Sequence, residues 1–124
     1  MTILVDTSVW VDHLRAGVPA LATLLDHGDV AIHPFVLGEV ALGNLTQRHL
    51  ILSSLAALPQ ATVASDAEVM LFIENARLYG QGVGYVDAHL LASARLMPGA
   101  AIWTRDKRLR SSAELMGLAF GQDR

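Results

Sequence analysis

The stretch "ILVDTSVW", residues 3–10, decides the reading of the fold. Ile3, Leu4 and Val5 form a short, wholly apolar run of the kind expected for a strand covered on both faces. It stops on a carboxylate, Asp6, and Thr7, Ser8 and a renewed apolar pattern follow at once. A strand that ends where a helix begins is half of a βα unit, with Thr7 or Ser8 expected as the helix cap. Further β-like runs occur at 30–32, 61–64, 101–103 and 118–120. Between them the spacing predicts helices: one carrying Trp10, Val11 and Leu14 inward and ended by Gly17 and Pro19, one at 20–26, one opening at Pro34, and others at 48–58, 66–79, 85–97 and 107–116. Strands alternating with helices predict an α/β fold with a mostly parallel sheet sandwiched between helices.

The chain has 124 residues, the size of one compact domain, so a single domain is expected over 1–124. Hydrophobic residues make up 52% and charged residues 17%, which excludes a disordered chain. Cysteine is absent, which removes disulfides, thiolate catalysis and Cys-based zinc sites together. No apolar run approaches the roughly 18–20 residues of a membrane span, so a soluble, cytoplasmic protein is expected. The net charge of −3 gives no general attraction to nucleic acid, but "TRDKRLR", residues 104–110, holds four of the nine basic residues. Arg105, Lys107, Arg108 and Arg110 are therefore candidates for nucleic-acid phosphates, with a solvated helix face as the alternative.

Two acids interrupt apolar helical stripes. Glu39 has Phe35, Val36, Leu42 and Gly43 at the offsets that share its face, and Asp87 has Val83, Gly84, Leu90 and Leu91. Two others, Asp6 and Asp106, each follow a predicted strand and precede a predicted helix. Singly they read as N-caps; together they matter more, because ligands of open α/β sheets bind beyond the carboxyl ends of the strands. Four carboxylates that converged would repel one another, and a divalent cation relieves that repulsion. Hard oxygen donors without Cys favour Mg2+ or Mn2+, which activate water for attack on a phosphodiester. The histidines and Trp10 and Trp103 read as packing or surface residues.

The motifs "ILVDTSVWVDHL" at 3–14, "GEV" at 38–40, "VDAHLLASA" at 86–94 and "IWTRDKRL" at 102–109 resemble, in this order and spacing, the PIN-domain ribonucleases, in particular the VapC toxins of toxin–antitoxin pairs. The resemblance covers almost the whole chain. It implies a three-layer fold with about five parallel strands in the order 3-2-1-4-5 and a metal-dependent endoribonuclease. It makes Asp6, Glu39, Asp87 and Asp106 the catalytic and metal-binding quartet, supported by Ser8 and Thr104. It also implies RNA as substrate, a homodimer, and a VapB-type antitoxin joined to it in a higher assembly. The chain departs from the family at Arg108, where many members carry a further acid that bears on a second metal position. Two other readings compete: a PIN-like interaction module without activity, and a receiver-like phospho-acceptor domain. The second needs an adjacent acidic pair after the first strand, where this chain has Thr7 and Ser8.

Overall fold

The first strand, β1 (Thr2–Val5), is the centre of the sheet, because its apolar side chains leave no face fit for water. The structure, a computed structural model, describes residues 1–121. In chain order β1 is followed by α1 (Thr7–Ala16), α2 (Pro19–Asp26), β2 (Val30–Ala31), α3 (Pro34–Ala41), α4 (Arg48–Ala56), α5 (Asp66–Ala76), α6 (Tyr85–Leu96), β3 (Ala100–Trp103) and α7 (Lys107–Leu115). The three strands are parallel in the order β2-β1-β3, with Ile3 opposite Val30 and Ala101, and Val5 opposite Trp103.

The expected five strands are three strands and two single bridges among the described residues. Ile32 bridges Gln60 and Ile102 bridges Ala119, both in parallel, so the segments still follow the order 3-2-1-4-5. The run at 61–64 forms no strand. Ala61 N–H donates to the Ile32 carbonyl, but Pro59 has no N–H to offer, Val63 is 49% exposed, and Ser65 already caps α5. The run at 118–120 is equally short: Ile102 N–H donates to Leu118 O and Phe120 N–H to Ile102 O, just after Gly117 ends α7 at φ +70°.

Helix placement follows local chemistry. Pro19 and Pro34 occupy first-turn positions, where a missing N–H costs nothing, and α5 opens with a reciprocal capping box between Ser65 and Glu68. The first helix starts one residue earlier than a Thr7 or Ser8 cap would place it. Its inward pair is Val9 and Trp10; Val11, expected inside, is 51% exposed. In α6 every residue from Ala88 to Ala94 is buried, and its Ala and Ser side chains let it lie close to β3 and α5. One apolar cluster joins β1, β2 and β3 to all seven helices.

Ile3→Ala, at the fully buried centre of the sheet, is expected to lower the unfolding free energy by about 2–5 kcal/mol. Val11→Ala should change it by no more than about 0.5 kcal/mol. Urea denaturation of the two variants measures both.

Candidate active site

The parallel pairing of β1 with β3 brings two chain segments nearly a hundred residues apart to one end of the sheet. Asp6 N–H donates to the Trp103 carbonyl at 2.9 Å, which carries the ladder one residue past β1 and fixes the Asp6 backbone beside Thr104. The Asp6 carboxylate is buried, and its Oδ2 accepts from Ser8 Oγ and from Thr104 Oγ1, both at 2.8 Å. Those two donors replace the water that burial removes. Thr104 Oγ1 also accepts from Asp106 N–H at 3.0 Å, and Ser8 Oγ accepts from Arg105 N–H at 3.0 Å. Both expected supporting hydroxyls thus tie Asp6 to the segment that carries Asp106.

Asp106 is the N-cap of α7, its Oδ1 accepting from Arg108 N–H at 2.9 Å and Leu109 N–H at 3.0 Å. The capping reading therefore holds for Asp106, while Oδ2 takes no part in those bonds. Glu39 lies on the exposed side of α3 and accepts from Thr7 Oγ1 at 2.6 Å. Thr7 is the contact that sequence reasoning missed. Neither Thr7 nor Ser8 caps α1; both hydroxyls serve acids, and the signal for that was their place directly after Asp6.

Asp87 is half-buried in the first turn of α6. Burial first, then the charges of Asp6, Asp106 and Glu39, push its carboxyl up from 3.8 to about 6, against a weaker downward pull from the Gly84 backbone N–H. The other three sequence-predicted acids therefore all act on Asp87 electrostatically. Among the described residues no three of them, or of the histidines, are already gathered around a common metal position. The donor set fits a hard divalent cation in charge and in atom type.

The basic run divides. Arg105 pairs with Asp12, which also holds Arg15 at 3.1 Å, and Arg110 donates to the Thr104 carbonyl at 3.0 Å. Lys107 and Arg108 are exposed on the first turn of α7. Two histidines are buried instead of flanking or solvated. His33 caps α3, accepting from Phe35 N–H at 3.0 Å, and is pushed down to about 4 by burial and by His89. His89 Nε2 lies 3.3 Å from Asp66 Oδ1, without the alignment of a hydrogen bond.

The family model that matches this chain is the PIN domain, over residues 3–115. Ribonuclease VapC32 of Mycobacterium tuberculosis, in strains CDC 1551 / Oshkosh and ATCC 25618 / H37Rv, is 46% identical over 121 residues, 98% of each chain. The chain is a PIN domain of the VapC ribonuclease family. The receiver-like alternative is thereby replaced. In this PIN domain the acids expected at the strand ends stand where β1 and β3 end, and the two interrupting acids stand on α3 and α6.

A raised carboxyl has a defined consequence for stability. Between about pH 4 and about pH 6 native Asp87 keeps a proton that the unfolded chain has released, so this group's contribution is full below that window and lost as pH rises through it. In metal-free protein, wild type is expected to lose stability relative to Asp87→Asn from pH 4 to pH 7. Denaturant midpoints at each pH give the difference, and a constant difference would contradict the shift.

Proposed function

We propose that this chain is the endoribonuclease toxin of a toxin–antitoxin pair, hydrolysing RNA phosphodiesters with Mg2+ or Mn2+ held by Asp6, Asp87, Asp106 and Glu39. What supports the metal site is the placing of Asp6, Asp106 and Glu39 close enough to half-buried Asp87 that their charges add to burial in pushing its carboxyl up. A bound ion supplies an activated water and stabilises the departing oxygen. Asp6, fixed by Ser8 and Thr104, is the rigid anchor of the set. Asp87 would offer a charged oxygen, and a bound cation would offset the repulsion that the other acids exert on it. Glu39, oriented by Thr7, and Asp106, whose Oδ1 is engaged with α7, complete the donors. Lys107 and Arg108 face solvent beside the acids and are the proposed RNA contacts, Arg105 being engaged by Asp12.

The relatives' name, a ribonuclease, supports RNA as substrate, and membership of the VapC family supports a VapB-type antitoxin as partner. A cleft of about 460 Å³ lined by Val11, Leu14, Arg15, Glu39, Val40 and Leu45 opens beside Glu39, and it gives the exposed Val11 a role as lining for an antitoxin segment. Leu42, Leu50, Met70 and Leu71 are exposed at 58% or more, which supports a homodimer. No helix of the described residues is long and apolar enough to cross a membrane, and the absence of cysteine suits a cytoplasmic place of action.

Expression without an antitoxin is expected to arrest growth, and Asp6→Asn or Asp87→Asn at equal protein level to relieve the arrest; persisting toxicity in both overturns the nuclease reading. Thr104→Val, which removes a donor to Asp6 without removing a carboxylate, should cost about 10–100-fold in cleavage rate. Magnesium should raise the melting temperature, by the equivalent of about 2.7 kcal/mol at one hundred times its dissociation constant. Asp87→Asn should melt higher than wild type without metal and respond less to it, while Asp26→Asn, at the end of α2, should do neither. Calorimetry across a magnesium titration reads all three.

A further inference from the structure

The loop between α5 and α6 passes over the first turn of α7. Gln81 Oε1 accepts from Ser112 Oγ at 3.1 Å, and one residue on, Gly82 lies against Arg108. A Cβ at Gly82 would stand 2.6 Å from Arg108 Cδ, 2.9 Å from Nη1 and 3.0 Å from Nε. The guanidinium therefore lies on bare backbone, in a seat that only glycine leaves open, and the backbone there has φ +77°, which glycine alone adopts without strain. Two residues further, Gly84 caps α6 and turns its N–H toward Asp87.

Arg108 has no carboxylate partner among the described residues, although Asp106 is two positions away and takes its backbone N–H. Its neighbours Arg105 and Arg110 are both engaged, one with Asp12 and the other with the Thr104 carbonyl. Arg108 is thus a positioned, exposed cation at the rim of an acidic site. A guanidinium packed on backbone keeps its paired N–H donors available to a phosphate. An anionic centre that acts on a polyanion needs such a group, because the acids by themselves repel the strand.

We propose that Arg108 is a clamp for an RNA phosphate next to the one cleaved, and that Gly82 is the positioning residue that seats it. This rests on the ribonuclease reading and adds to it which cation grips the strand and what holds that cation in place. A side chain at Gly82 displaces the guanidinium without touching any acid.

The test is a double-mutant cycle on binding of a fluorescein-labelled, mixed-sequence, single-stranded RNA in EDTA, followed by anisotropy over a range of salt. Arg108→Ala is expected to weaken binding about tenfold and to reduce the slope of log affinity against log salt by about 0.7, the effect of one lost phosphate contact. Gly82→Ala should do the same, and the double variant should be no worse than either. Arg95→Ala, at the far end of α6, should change affinity less than about twofold. Gly82→Ala should keep the wild-type magnesium shift in melting temperature, which separates loss of the seat from collapse of the loop that caps Asp87. An Arg108→Ala protein that binds like wild type overturns the clamp. Losses that add in the double variant, a Gly82→Ala protein that binds like wild type, or loss of its magnesium shift overturns the seat. The nuclease assignment is judged separately, by the arrest and cleavage behaviour of Asp6→Asn and Asp87→Asn.

Discussion

The pairing of β1 with β3 is the constraint on which the rest depends. It places Val5 opposite Trp103, and one further hydrogen bond, from Asp6 N–H to the Trp103 carbonyl, sets the first acid against Thr104. From there the geometry propagates through hydroxyls. Thr104 donates to Asp6 and accepts from the Asp106 backbone, so a single side chain fixes the spacing of two acids that sequence separates by a hundred positions. Parallel pairing makes this possible, since both strands deliver their carboxyl ends to the same edge.

The site is built against its own charge. Asp6 tolerates burial through two hydroxyl donors, while Asp106 and Glu39 are exposed, the one held by two backbone donors and the other by Thr7. Asp87 has one backbone N–H for support, at the helix start, and burial and the charges of the other three acids push its carboxyl up. Its position is nevertheless firm, because α6 is buried along its middle and cannot shift without repacking β3 and α5.

Much of this was legible in the residues. A strand ending on Asp6 and another ending near Asp106 mark the edge of a sheet, and Glu39 and Asp87 stand out because apolar neighbours surround them. The outer strands were legible as segments but not as strands: their pairing ends at one bridge each, and what ends it is Pro59, Ser65 and Gly117, local features whose effect depends on where the neighbouring strand lies. Val11 was misplaced because the buried face of α1 is centred on Val9 and Trp10, and Val11 falls on its exposed side. The partnership of Thr7 with Glu39 joins α1 to α3 across 32 positions, and no local pattern encodes it.

The lateness of β3 in the chain has a consequence in time. Residues 100–106 supply the strand that completes the central pairing, the hydroxyl that holds Asp6, and the fourth acid. During synthesis these emerge after the elements that precede them, and helices α1 to α6 are available to fold first. A nascent chain halted before residue 100 can hold Glu39 and Asp87 on their helices, yet Asp6 has no Thr104 beside it and no Asp106 across from it. The four acids are thus brought together only once β3 and the segment after it have been made.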